Sequence, residues 1–321
     1  MDALASLLAG PRARGAFLLR SVLRPPWSLR IQDRAPLTVV SVVRSAAWVL
    51  RDDVEPVRLS PGDVAVIRGP DPYTVADDPA TPPRVVIHPG QRCTTPEGES
   101  LSEAMALGLR TWGDRDGAAT MFTGTYQLDG EVSDRLLRAL PALLVLPADA
   151  WDSSLLPLLD EELSRDVPGQ EAILDRLLDL LLTAVLRAWF SRPEAEVPGW
   201  YRAQGDPVVG PALRTLHEDP AGPWTVAALA ARAGVSRAAL ARRFTDLVGE
   251  PPMTYLTGLR LAMAADLLRE PDATLSAVAR RVGYGSAFAL SAAFKREHGI
   301  SPQEYRTAGP RPPSVGDVPR F

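Results

Sequence analysis

Guanidinium is the reactive chemistry this chain carries in quantity. Of its 35 basic residues only Lys295 is lysine. Contacts to a phosphate or to the edge of a base therefore fall almost wholly to arginine, whose planar fork can also pair bidentately with guanine. The charge is unevenly placed. The whole chain is acidic, net −4 with a pI near 5.6, which is unusual for a nucleic-acid binder. Residues 1–206, however, carry 21 basic and 29 acidic side chains, net −8, whereas 207–308 carry 12 and 9, net +3. Other reactive groups are scarce. There are three histidines and one cysteine, and no nucleophile and base stand out as a pair, so no catalytic residue is assigned. A divalent transition metal needs imidazoles and a carboxylate on neighbouring elements. His88 and Cys93, five residues apart, supply half of such a site at most; the plainer reading is a partly buried imidazole and an inert thiol. His217 and His298 read as surface or capping residues. No metal site and no cofactor are expected, and a single cysteine excludes an intramolecular disulfide framework and fits a reducing compartment.

The basic third of the chain carries a duplicated pattern. Leu229-Ala230 pairs with Val278-Ala279 and Gly234 with Gly283 at an offset of 49; Ser236, Leu240, Phe244, Gly249, Pro252 and Tyr255 pair with Ser286, Leu290, Phe294, Gly299, Pro302 and Tyr305 at 50. The extra residue falls where Gly234-Val235-Ser236 becomes Gly283-Tyr284-Gly285-Ser286. A turn absorbs such an insertion without shifting a helix register. The repeat predicts two helix-turn-helix units.

In the first unit Val226 to Ala233 predicts a short helix that Gly234 ends, and Ser236 caps the next. Leu240, Phe244 and Leu247, four and three residues apart, form its buried stripe. Arg237, Ala238, Ala241, Arg242 and Thr245 fall on the other side, open to a partner. Gly249 with Pro251 and Pro252 stops the helix. In the second unit Leu290 and Phe294 face inward, and Ala287, Phe288, Ser291, Ala292 and Lys295 face outward. Thr254 to Arg269 between them reads as one helix of roughly 25 Å. A spacer of that size can set two recognition helices near one turn of B-DNA apart, roughly 34 Å.

These residues resemble the C-terminal DNA-binding domain of AraC/XylS-type transcription regulators. The likeness runs from about Asp206 to Arg306. Its parts are the Leu229-Ala230…Gly234-Val235-Ser236 turn, the Phe244…Gly249…Pro252…Tyr255-Leu256…Arg260 run, and Ala279…Val282-Gly283-Tyr284…Phe294-Lys295…Gly299-Ile300-Ser301-Pro302…Tyr305-Arg306. The resemblance implies binding to double-stranded promoter DNA. Arg242 matches the family's contacting arginine, and its outward place suits a guanine edge. Ala238 and Ala241 offer methyl contact only, and Arg237 and Arg243 meet phosphate or neighbouring acids. In the second helix Ala292 stands where many relatives have arginine, and Ala287 and Phe288 where polar readers are common. Ser286, Ser291 and Lys295 are left to contact phosphate, and Phe288 either touches a thymine methyl or packs. The first unit is thus expected to read sequence, and the second mainly to position the protein.

The N-terminal part is a different kind of object. Leu37 to Val43, Ala46 to Leu50, Val57 to Leu59, Val64 to Ile67, Arg84 to Ile87 and Met121 to Leu128 are β-rich runs separated by proline, glycine and aspartate, which predicts an all-β barrel or sandwich. The Pro56 to Ile67 stretch, with its Pro-Gly-Asp turn, is similar to the cupin-type effector domain found ahead of many AraC-family DNA-binding domains. Tyr73 stands where related regulators often have histidine, which argues against a catalytic metal. Glu171 to Phe190 then predicts a helix with an apolar stripe of Leu174, Leu177, Leu178, Leu181, Leu182, Val185 and Trp189. The stripe packs on its own barrel or also on a second copy. Leu180 and Leu186 widen the apolar surface, and Leu174, Leu178, Leu181, Leu182, Val185 and Trp189 are taken as the dimerisation residues.

The expected fold is α+β: a cupin-like β-barrel over 1–147, a helical dimerisation region and linker over 148–205, an all-α DNA-binding domain with two helix-turn-helix units over 206–308, and a disordered tail over 309–321. The expected function is sequence-specific transcription regulation controlled by a small-molecule effector or by dimerisation. The expected partners are promoter DNA, an effector, a second copy of the chain and RNA polymerase. A metal-independent cupin-like enzyme with an appended DNA-binding domain is the alternative. With 46% hydrophobic and 23% charged residues and no apolar run near the ~20 residues a spanning helix needs, a cytoplasmic protein is expected and a membrane is not.

Overall fold

The computed structural model describes Leu4 and residues 17–108, 110–126, 131–165, 167–192 and 197–307. The expectation for the 309–321 tail lies outside the described residues, as does that for part of the linker, 193–196. The described residues fall into two compact units. One comprises those within 12–128 and 140–195, the other those within 129–139 and 196–307 together with Leu4.

The first unit is built of strands β1 (Phe17–Leu23), β2 (Ser28–Ile31), β3 (Leu37–Arg44), β4 (Ala47–Arg51), β5 (Val54–Leu59), β6 (Val64–Arg68), β7 (Tyr73–Ala76), β8 (Val85–His88), β9 (Arg92–Thr94), β10 (Ala106–Gly108), β11 (Thr111–Gly113), β12 (Ala119–Tyr126) and β13 (Leu143–Leu146). They form two sheets, ordered β10-β11-β1-β12-β3-β6-β13 and β5-β4-β7-β2-β8-β9. Six of these strands overlap the runs read from sequence. The others are too short, or too interrupted by arginine and serine, to show a period of two. Leu37 to Val42 of β3 are all buried, so both faces of that strand are covered. The core between the sheets includes Leu29, Val40, Val42, Val49, Ile67, Val75 and Met121, with Tyr73 and Trp112.

The Pro-Gly-Asp turn is fixed by its own side chains. Asp63 accepts from the amide of Ser60 at 2.7 Å and from that of Ala148 at 2.9 Å. Gly62 has φ +90°, and a Cβ there would stand 2.7 Å from the Ala148 Cβ, so glycine is required on both counts.

Between β12 and β13 the chain forms α1 (Glu131–Leu137), which belongs to the second unit. After β13 the first unit adds α2 (Leu155–Leu163) and α3 (Gln170–Phe190). The Tyr126 hydroxyl, fully buried, donates to the Leu178 carbonyl at 2.8 Å and ties α3 to β12. Leu174, Leu178, Leu181, Leu182 and Val185 are at most 3% exposed within the single chain. Leu186 is fully buried as well and does not widen the outer surface, whereas Trp189 and Leu177 are half-buried. The large apolar residues α3 presents to solvent are Ile173 and Leu180, 46% and 50% exposed.

The second unit is all helical: α4 (Gly199–Arg202), α5 (Val209–Glu218), α6 (Val226–Arg232), α7 (Arg237–Val248), α8 (Pro252–Leu268), α9 (Leu275–Arg281), α10 (Ala287–His298) and α11 (Pro302–Thr307), with α1 packed on α8. Alanine at 262, 264 and 265 and leucine at 256, 259, 261, 267 and 268 bury nearly the whole circumference of α8. It is the axis on which both helix-turn-helix pairs are hung.

Candidate nucleic-acid interface

The duplication in sequence is a duplication of contacts. Thr225 caps α6 by accepting from the Ala228 amide at 3.1 Å, and Thr274 caps α9 by accepting from Ala277 at 3.2 Å. The tight turn that follows closes with the Val235 amide on the Ala230 carbonyl at 3.1 Å, and in the second copy with Tyr284 on Ala279 at 2.8 Å. Ser236 then caps α7 through the Ala239 amide at 3.2 Å, and Ser286 caps α10 through Ala289 at 3.1 Å. Each side-chain oxygen satisfies a donor that the helix start leaves without a partner. Gly249 and Gly299 end the two helices at φ +92° and +75°, the left-handed closure that glycine adopts without a Cβ penalty.

Inward, the two helices are anchored alike. Leu240, Phe244, Leu290 and Phe294 are fully buried. Phe244 meets Tyr255 edge-on at 5.8 Å between ring centroids, and Phe294 meets Tyr305 at 5.3 Å, favourable aromatic geometry in both. This fixes what is left on the outside. On α7, Arg237, Ala238 and Arg242 are exposed, while Ala241 and Thr245 are half-buried, with the Thr245 hydroxyl donating to the Ala241 carbonyl at 2.9 Å. On α10, Ala292 and Lys295 are exposed and Ala287 and Ser291 half-buried. Phe288 is 83% exposed, so it is left almost without packing among the described residues.

The arginines of α7 divide into two kinds. Arg243 grips Asp206, Nη2 to Oδ2 at 2.7 Å and Nε at 2.9 Å. Partial burial works to raise the Asp206 pKa, but the Arg243 hydrogen bond and the amides of Val209 and Val208 outweigh it and hold the carboxyl below its usual range. Arg237 and Arg242 have no ion pair or hydrogen bond among the described residues. They remain available to an anion or a base edge, whereas Arg243 is committed to holding α7 against the segment that opens α5.

Two comparisons decide the family. A family model described as a cupin matches residues 2–191, and one described as a helix-turn-helix domain matches 229–308. A putative AraC-like transcription regulator from Streptomyces lividans is 34% identical over 95% of this chain and 98% of its own length. The chain belongs to the AraC-like transcription regulators. A second such regulator, from Streptomyces antibioticus, is 33% identical over the same shares of both chains. Among solved structures, the DNA-binding domain of the global transcriptional factor AdpA, in complex with a target DNA, is 36% identical. It covers 32% of this chain and 93% of that one at a TM-score of 0.31. As an AraC-like regulator the chain combines a cupin N-terminal domain with a helical C-terminal domain that binds DNA through helix-turn-helix units.

Three residues around this interface escaped the sequence reading. His217 is not a surface or capping residue but a buried one, 4% exposed, with Nε2 2.7 Å from the Tyr255 hydroxyl. It lies on the inward face of α5 beside Leu213 and Leu216, a placement the amphipathic spacing of that helix would have indicated. Asp206 carries no periodic signal, since it acts from a loop. Arg135 comes from far outside the duplicated segment, on α1. His298 is half-buried and stacks on Phe294 at 4.2 Å. In the first unit the His88 ring is engaged on both nitrogens, by Gln32 at 3.3 Å and Thr94 at 2.9 Å, while Cys93 is buried in the core. Among the described residues no three histidine, cysteine, aspartate or glutamate side chains gather as a metal site.

Proposed function

We propose that this AraC-like regulator reads promoter sequence chiefly through α7 and uses α10 mainly to position itself. Arg242, exposed on α7 and unpaired among the described residues, carries the reading. It is the side chain suited to guanine. Ser236, Arg237, Ala238, Ala241 and Thr245 surround it as methyl and phosphate contacts. Ser286, Ala287, Ser291, Ala292 and Lys295 make α10 a surface for phosphate rather than for base edges, and exposed Phe288 offers apolar contact to a thymine methyl.

Control comes from the N-terminal half, through a small-molecule effector or through dimerisation. Five of the six dimerisation residues expected from sequence are buried inside their own unit, so a second copy would meet the neighbouring row. Ile173, Leu177 and Leu180 lie along one side of α3, and Leu158 on α2 is 49% exposed. The reading assigns no catalytic step. It places the protein in the cytoplasm with RNA polymerase as a further partner, and no helix among the described residues is long and apolar enough to cross a membrane.

The test is selection of bound sequences from a random duplex pool with the full-length protein. Enrichment of a site with a strong preference in one major groove and a degenerate one about a turn away supports this division of labour. Equal preference in both grooves would contradict it.

A further inference from the structure

Between the two sheets of the first unit lies a cavity of about 40 Å³. Tyr73 and Trp112 both line it, 4% and 6% exposed. The Tyr73 hydroxyl and the Trp112 indole nitrogen are buried polar atoms with no hydrogen-bond partner among the described residues. Thr38 lies near enough to influence the phenol but makes no hydrogen bond of ordinary geometry with it. Buried donors left unmade are costly, and two of them lining one cavity, one from each sheet, mark a place where an acceptor belongs.

The rest of the lining narrows what that acceptor is. Among the described residues Asp33 is the only charged one there, and no arginine, lysine or histidine contributes. An anion would meet a carboxylate and no cation. Leu29, Ile31, Val75 and Met121 supply an apolar wall. Burial, reinforced by Asp33, pushes the Tyr73 phenol up, so it remains a donor at neutral pH.

Resting on the effector-controlled reading above, we propose that this cavity is the effector site and that it takes a small, uncharged molecule. Its carbonyl oxygen, of a ketone, ester or lactone, accepts from Tyr73 and Trp112 while its hydrocarbon part lies on the apolar wall. The space is small, so a longer hydrocarbon part requires it to widen. Met121, unbranched and flexible, is the lining side chain best able to give way. It lies on β12 with Thr123 and Thr125, two more lining residues, just before the Tyr126 hydroxyl that holds α3. Occupancy would therefore be felt where α3 is tied to the sheet.

The experiment is a titration of the full-length protein labelled with ¹⁵N-tryptophan, the Trp112 indole signal being assigned by its loss in Trp112→Phe. The probes are methyl ketones from acetone to 2-heptanone, and the matching alkanoates from acetate to heptanoate. The series separates size from charge. The proposal expects saturable movement of the Trp112 signal with a ketone, little with any alkanoate, and binding about fivefold weaker in Tyr73→Phe, the loss of one ordinary hydrogen bond. Movement with no ketone, meaning a resident water only, or alkanoates binding as tightly as ketones, would overturn it. The wild-type comparison of ketone with alkanoate decides even where Tyr73→Phe does not fold. Enrichment of duplex DNA is measured separately on the same protein. DNA enriched with no ketone bound sinks the pocket alone, and a ketone bound with no DNA enriched sinks the regulator reading and leaves the pocket standing.

Discussion

The guanidinium of Arg135 lies over the ring of Tyr255, 4.6 Å from its centroid. Tyr305, the counterpart of Tyr255 in the duplicated half, is met by Arg269 at 5.3 Å, which also donates to its hydroxyl at 2.9 Å. The two tyrosines thus have the same kind of partner from different sources. Arg269 immediately follows α8 in the same domain, whereas Arg135 is on α1, the segment that the chain inserts between strands β12 and β13. Arg135 is further tied to Glu250 at 3.2 Å, and the Val132 amide to Asp266 at 3.3 Å.

Arg135→Ala should therefore loosen α1 from α8 and destabilise the helical unit by about 1–2 kcal/mol, the worth of a partly buried cation–π contact with its ion pair. Urea denaturation of the variant checks this. Arg135→Lys should recover part of the loss, because it keeps the charge but not the planar fork. A change indistinguishable from zero in both would mean that α1 is held by its apolar face and the Val132–Asp266 contact without help from Arg135.

Acid should act on the Asp206–Arg243 pair. The folded Asp206 pKa is depressed, so the pair contributes stability that is fully present above the ordinary aspartate range and is lost as pH falls through the lower folded value. Asp206 also accepts from the amides of Val208 and Val209, both at 2.9 Å. Asp206→Asn should accordingly remove part of the acid-induced loss of stability below about pH 4. It should also weaken DNA binding by freeing α7 from its brace. Thermal unfolding followed from pH 7 to pH 3 reads the first effect. A variant with the same pH profile as the parent would show the pair to be idle.

On α3 the exposed row Ile173, Leu177 and Leu180 predicts a self-contact. Leu180→Glu should shift the protein towards monomer in analytical ultracentrifugation while leaving its unfolding temperature nearly unchanged, since Leu180 is half exposed in the single chain. Leu178→Glu, by contrast, should unfold the first unit, because a charge would be buried without a partner. A Leu180→Glu protein with the parent's sedimentation behaviour would remove this row as the dimer surface.

The contrast between Leu178 and Leu180 shows what the sequence could disclose and what it could not. Period alone finds an apolar stripe on Glu171 to Phe190, but two adjacent rows, 173/177/180 and 174/178/181/185, are both apolar. Only the barrel surface determines which of them is covered. The helix-turn-helix pairs were legible in detail because local chemistry sets them: Ser236 and Ser286 at helix starts, Gly249 and Gly299 at helix ends, Phe244 and Phe294 inward. Their packing partners Tyr255 and Tyr305 fall at matching places in the repeat. Arg135, His217 and Asp206 were not legible as partners of this domain, since each acts across a sequence separation of roughly forty residues or more. Nor was the cavity, because Tyr73 and Trp112 come from strands of different sheets, and nothing in either run announces that both donors end without a partner among the described residues.

The proposed unequal division of reading between α7 and α10 is tested by fluorescence anisotropy with the enriched duplex and its single-base variants. Arg242→Ala should lose about 1–3 kcal/mol at one base pair and lose preference there, while Lys295→Ala should weaken all sequences alike and lower the salt slope by about one. A uniform loss in Arg242→Ala with every base preference intact, or a lost base preference in Lys295→Ala, would show that the two helices do not divide the reading in this way.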